Sequence, residues 1–108
     1  MEVYYIYIIE CEDDKLYTGI TTDYKRRFAE HSGSKKGAKF TKIFAPKKML
    51  LLYKTAGRSN ASKLEARIKS LNKHDKELLI SDRKYFKIFF KEVLDIQMYR
   101  RCKITCKI

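Results

Sequence analysis

A phenol, a guanidinium and an imidazole fall close together in the stretch KLYTGITTDYKRRFAEH, residues 15–31: Tyr17, Arg27 and His31. A second phenol, Tyr7, lies upstream, and a carboxylate, Glu65, lies downstream. Arginine's planar fork offers paired, charge-assisted hydrogen bonds to a phosphate. Histidine can donate to a phosphate oxygen or move a proton near neutral pH. A lone carboxylate can hold Mg²⁺, a hard cation that is often bound by one or two carboxylates plus waters and substrate phosphates. Each residue also has an ordinary reading. The tyrosines can be a cross-strand pair in a core, which is the commoner case on spacing alone. Arg27 and His31 can line a solvated helix edge, and Glu65 can pair with a neighbouring lysine or arginine.

The surrounding elements decide whether these groups meet. Residues 3–11, VYYIYIIEC, are apolar at both parities, as in a central strand covered on two sides. Glu12, Asp13 and Asp14 form a turn cluster, and residues 15–21 read as a second strand, giving a hairpin. With a three-residue loop, Cys11 pairs with Lys15, Ile9 faces Tyr17 and Tyr7 faces Gly19. Tyr7 and Tyr17 are then diagonal neighbours, and Gly19 leaves open space beside Tyr7 for a ligand or backbone. Asp23 is a good N-cap for a helix reaching about His31. On it Arg27 and His31 share a face at i and i+4, beside the apolar stripe of Tyr24 and Phe28.

Residues 32–47 read as a loop rich in Gly, Ser and Lys, closed by Pro46. Its lysines Lys35, Lys36, Lys39 and Lys42, with Phe40 between them, suit contacts with a nucleic-acid backbone; a solvated loop is the plain alternative. A third strand is expected at 49–55. A helix at about 60–72 follows, capped by Ser59 or Asn60, with Ala61, Leu64, Ile68 and Leu71 as its stripe and Glu65 at the margin. A short helix at about 74–80 comes next. Phe86, Phe89, Phe90, Val93 and Leu94 recur at helical spacing, which predicts an amphipathic helix over about 83–97. The stretch 99–108 is short, basic and ambiguous. The order is that of an α+β domain with a small antiparallel sheet.

The chain has 108 residues and a net charge of +12, enough length for one compact domain. Charge is uneven. Residues 1–22 carry five acids against Lys15, whereas residues 24–80 carry 16 Lys/Arg against Glu30, Glu65, Asp75 and Glu77, a net +12. A polyanion is expected to bind that middle segment. No apolar run is long enough to span a membrane, and Met1 leads straight into a strand, so no signal peptide is expected. The cysteines Cys11, Cys102 and Cys106 form no dense framework. Free thiols in a reducing intracellular setting, cytoplasmic or close to the genome, are expected, and no zinc site.

These residues resemble the GIY-YIG nuclease superfamily. YIY at 5–7 and YTG at 17–19 look like its two half-motifs, about ten residues apart, and Arg27, His31 and Glu65 fall where the family has its helix arginine, histidine and metal-binding glutamate. The stretch from about Tyr4 to Ile80 is similar to the small stand-alone bacterial GIY-YIG proteins; LYTGITTD, the RR…EH spacing, GAKFT and the RS…LE helix carry that likeness. Tyr5 stands where the family name has glycine. Many members carry an asparagine after the glutamate helix; Asn72 is the nearby candidate, and the role is not carried over to it.

The resemblance implies a three-stranded antiparallel sheet flanked by helices over residues 1–80, with residues 81–108 as an extra C-terminal amphipathic helix and basic tail. It implies one divalent cation, Mg²⁺ or Mn²⁺, and hydrolysis of a nucleic-acid phosphodiester, DNA in the first place, at branched or damaged structures. Tyr17 or Tyr7 would assist the attacking water as base or orienter. Arg27 would stabilise the pentavalent phosphate, Glu65 would hold the metal, and His31 would be a secondary phosphate or proton contact. Either phenol, with an ordinary pKa near 10, would need metal, arginine or phosphate contacts to act as a base. Two alternatives stand beside the enzyme. One is a scaffold that binds nucleic acid with little cutting. The other is a domain that needs a protein partner, or a second copy, docked through the C-terminal helix.

Overall fold

The computed structural model describes residues 2–33 and 46–104, with the backbone alone for 31–33. Its first strand, β1 (Val3–Cys11), turns through a single 3₁₀ turn at Glu12–Asp14 into β2 (Leu16–Thr21). Asp13 and Asp14 both take the left-handed conformation, with φ of 60° and 57°, which short polar side chains tolerate. The turn closes with Cys11 N–H donating to Lys15 C=O at 2.7 Å. The register follows as expected: Ile9 opposite Tyr17 and Tyr7 opposite Gly19.

Helix α1 (Tyr24–Gly33) begins at Asp23, whose Oδ1 accepts the Arg26 N–H at 3.1 Å. β3 (Pro46–Ala56) is longer than the expected 49–55 and lies antiparallel to β1 on the side away from β2. α2 (Arg58–Ser70) starts two residues before the expected position. Neither Ser59 nor Asn60 caps it. The chain enters through Gly57 at φ 86°, a conformation glycine adopts without strain, and the Asn60 side-chain amide donates back to Ala56 C=O at 3.0 Å. Asn72 caps α3 (Lys73–Ser81) by accepting the Asp75 N–H at 2.8 Å. Its role here is structural.

The C-terminal segment departs most from expectation. α4 covers only Lys84–Phe90. Beyond it the chain turns, makes a 3₁₀ turn at Ile96–Met98, and adds a fourth strand, β4 (Tyr99–Arg101), against β3. The sheet therefore has four strands, in the order β2-β1-β3-β4, rather than three. Return of the tail to the sheet edge wins over continued helix because β4 gains specific partners. Tyr99 Oη donates to Asn60 C=O at 2.7 Å, Thr55 Oγ1 to Met98 C=O at 2.7 Å, and the Arg101 guanidinium to the carbonyls of Leu79 and Ile80. Val93, which the helical spacing would turn inward, is 43% exposed.

β1 is buried on both faces, as its double apolar parity requires. Ile6 and Ile8, with Leu51 and Tyr53 of β3, pack against Ala61, Leu64 and Ile68 of α2, Leu79 of α3, Phe86 and Phe90 of α4, and Tyr99. Phe86 stacks on Tyr53 with ring centroids 4.6 Å apart. The aromatic face of α4 thus points into this core. On the opposite face Tyr7, Ile9, Cys11, Met49 and Leu52 pack against Phe28 of α1.

Candidate active site

Tyr7 is at the centre of the α1-covered face. Its side chain is 1% exposed and lies across Gly19 of the neighbouring strand. A Cβ on Gly19 would fall 2.5 Å from Tyr7 Oη and 2.7 Å from its Cζ. The open space expected beside Gly19 is therefore filled by the Tyr7 phenol itself. Glycine is needed here so that the end of the Tyr7 ring can approach the strand this closely. Tyr17 stands diagonally across, its ring centroid 6.3 Å from that of Tyr7 and half-buried.

Arg27 enters from α1 and hydrogen-bonds the Tyr7 hydroxyl. Its Nη1 also lies 3.3 Å from Glu30 Oε1, one turn further along the helix. Burial works against the guanidinium charge, but the hydrogen bonds to Tyr7 and Glu30 outweigh it and hold the Arg27 pKa above its ordinary value. The Tyr7 phenol moves the same way, well above the usual tyrosine range. Burial is the main cause, the Tyr17 phenol adds to it, and the Glu65 carboxylate contributes, against the pull of Arg27. At neutral pH Tyr7 keeps its proton.

Glu65 is on α2, 23% exposed, with Lys69 Nζ 3.5 Å from its Oε2. The plain reading of this acid, a pair with a neighbouring lysine, is thus present. Lys69 is 55% exposed, so the pair is worth only about 0–1 kcal/mol and is easily exchanged. The Glu65 charge nonetheless bears on the Tyr7 phenol, which ties it to the same corner. Among the described residues no group of three or more His, Cys, Asp or Glu is placed to hold a metal. One solvent-accessible carboxylate does fit Mg²⁺ or Mn²⁺, which keep several waters and need few protein ligands.

The structure therefore brings Tyr7, Tyr17 and Arg27 together, with Glu65 in electrostatic contact. His31 is on α1, but its side chain lies outside the described residues, as do Lys35, Lys36, Lys39 and Lys42. Glu30 is a member of the corner that the sequence reading passed over. The signal was available as an Arg–Glu pair at i and i+3. Cys11 and Cys102 are free, and burial pushes both thiols up, so neither resembles an activated nucleophile.

A hairpin whose two tyrosines meet an arginine from the following helix thus stands on the small antiparallel sheet of an α+β domain. The GIY-YIG catalytic domain matches residues 3–78, and the chain belongs to the GIY-YIG family. It is 40% identical over 101 residues to a UPF0213 protein of Fusobacterium nucleatum, covering 94% of each chain. It is 43% identical over 81 residues to a UPF0213 protein of Cronobacter sakazakii, covering 75% of this chain and 84% of that one. Among solved structures it is similar to the solution NMR structure of a UPF0213 protein from Bacillus halodurans. The identity there is 36%, with 73% of this chain and 83% of that chain covered and a TM-score of 0.46.

Proposed function

We propose that this chain is a divalent-metal-dependent endonuclease that hydrolyses nucleic-acid phosphodiester bonds, DNA in the first place. The observation that carries the reading is the hydrogen-bonded Tyr7–Arg27 corner with Tyr17 beside it. A buried phenol that holds its proton next to a guanidinium offers two donors to one phosphate. Arg27 would neutralise the non-bridging oxygens as negative charge builds on phosphorus. Tyr7, protonated, would donate to the same phosphate or orient the water. Tyr17, the more exposed phenol, would orient the attacking water by a hydrogen bond, or take its proton as a phenolate, while the new O–P bond forms and the leaving oxygen departs with a proton from solvent. Glu65 would hold Mg²⁺ or Mn²⁺, with Lys69 displaced. That ion would supply charge neutralisation and polarisation of a bound water. His31, Lys35, Lys36, Lys39 and Lys42 are proposed as further phosphate contacts.

The Glu65–Lys69 pair favours a second reading, a nucleic-acid-binding module with little cutting. The free thiols support a reducing, intracellular setting, and no helix among the described residues is long and apolar enough to cross a membrane. The test is cleavage of labelled single-stranded, duplex, flapped and branched DNA with Mg²⁺, Mn²⁺ or chelator, in the wild type and in Tyr17→Phe. Metal-dependent cutting that Tyr17→Phe loses supports the enzyme and the role of Tyr17. Salt-sensitive binding without cutting on any substrate would select the binding module.

A further inference from the structure

The α1-covered face of the sheet continues past the Tyr7 corner, because β3 and β4 extend it. Directly opposed residues on neighbouring strands share a face. The row through Tyr7 runs from Gly19 to Tyr7 to Leu52, and the next row runs from Thr21 to Tyr5 to Lys54 to Arg100. Lys54 and Arg100 are thus Cα partners, both exposed, on the same face as the candidate site. From Tyr7, Lys54 is a diagonal neighbour at about 7–8 Å. Arg100 is one strand spacing beyond, about 5 Å more. Between them and the corner stands Tyr5, packed edge-to-face on Tyr24 of α1 with centroids 4.9 Å apart.

Like charges directly opposite each other across two strands destabilise a sheet. Among the described residues no carboxylate forms an ion pair with either one. The pair therefore costs the fold something and is placed where an anion would relieve it. It also flanks a feature of its own, a shallow cleft of about 190 Å³ whose walls include Val3, Lys54, Gln97, Met98 and Arg100. Val3 and Met98 are exposed apolar side chains at its lip, 44% and 42% open. Cations beside an apolar lip with an amide match what a nucleic-acid strand presents, phosphates alternating with sugars and bases. A purely acidic peptide would use the cations and leave the lip idle.

We infer that Lys54 and Arg100 form an accessory phosphate-binding pair that leads the nucleic-acid strand flanking the Tyr7–Arg27 corner across the sheet and over its β4 edge. This rests on the nucleic-acid reading above and deepens it. Arg100 lies beyond the residues matched to the catalytic domain, so the tail strand is itself part of the substrate surface. Lys54 and Arg100 position substrate and take no part in the chemistry.

The test is fluorescence anisotropy of a short labelled oligonucleotide in chelator, across a salt titration, for the wild type, Lys54→Ala, Arg100→Ala, the double variant, and the charge-keeping Lys54→Arg and Arg100→Lys. The double variant should bind about tenfold more weakly at low salt, and its salt slope should fall by about 0.7–0.9 for each contact removed. The charge-keeping variants should bind like the wild type. Thermal midpoints should stay level or rise, since repulsion has been removed. Unchanged affinity and slope in the double variant, with the wild type still binding and cutting, would overturn this inference and leave the nuclease reading standing. A wild type that neither binds nor cuts nucleic acid would overturn both. Competition by poly-glutamate as strong as by unlabelled oligonucleotide would show a site for any polyanion and overturn the assignment to nucleic acid.

Discussion

On one face of the sheet Ile6, Ile8, Leu51 and Tyr53 meet three helices and the tail strand in a largely apolar cluster, where the Tyr99 hydroxyl donates to backbone. On the other, Tyr7, Ile9 and Leu52 meet Phe28 of α1, and the cluster ends in two phenols, a guanidinium and the Glu30 carboxylate, with the charge of Glu65 on α2 also bearing on Tyr7. The first face is where burial stabilises the domain, at about 1.5–3 kcal/mol per large side chain fully withdrawn from water. The second gives up part of that gain. It holds a buried hydroxyl in a hydrogen bond to a charge, and it puts two cations opposite each other. One sheet therefore supports both by assigning alternate residues of the same strand to different faces: Ile6 and Ile8 to the larger core, Tyr7 to the candidate site.

The largest effect should separate the faces outright. Phe86→Ala removes a 7% exposed ring stacked on Tyr53 and packed against Phe90 and Tyr99. It should cost about 3–5 kcal/mol in chemical denaturation, and the fraction that remains folded should keep its activity. Arg27→Ala should do the reverse, with cleavage down by about 10²–10³-fold and a smaller stability loss of about 1–3 kcal/mol as the buried Tyr7 hydroxyl loses its guanidinium partner. A large loss of stability in Arg27→Ala would merge the two faces into one structural unit.

Gly19→Ala should affect both properties. Its Cβ cannot coexist with the Tyr7 ring where it stands, so the ring must move. The expected cost is about 1–3 kcal/mol by thermal melting, with activity falling further than stability explains. The smallest effect lies in alkali. Because the folded-state pKa of Tyr7 is raised above the unfolded value of 10.0, its contribution to stability is fully present below about pH 10 and is lost as pH rises beyond it. Tyr7→Phe should lessen the alkaline drop in thermal midpoint. Part of the drop should remain, since burial raises Tyr53 and Tyr99 as well.

Local chemistry made some elements legible from sequence. The acidic three-residue turn set the hairpin register, which brought Tyr7 opposite Gly19, and Asp23 marked the start of α1. What was hidden depended on distant partners. β4 is three residues long with only Tyr99 buried, so its pattern carried no period; it is held by contacts to Asn60, Leu79 and Ile80. The helical spacing of Phe86 to Leu94 was real as far as Phe90, and no local signal marked the turn that follows. Lys54 and Arg100 lie far apart in sequence, so their opposition appears only once β4 is placed. In sequence, Gly19 offers room for a ligand. Only a side chain's direction reveals that Tyr7 takes that room.

The proposed metal-dependent hydrolytic site joins the α1-covered face, with Tyr7 and Arg27, to Glu65 of α2. It is tested most directly by comparing cleavage and binding in Glu65→Gln, which keeps the side chain's shape and removes its charge. On whichever labelled DNA the wild type cuts, Mg²⁺-dependent cleavage should be lost while oligonucleotide binding in chelator and the thermal midpoint are retained. Cleavage at the wild-type rate in Glu65→Gln, with the same dependence on Mg²⁺, would contradict it.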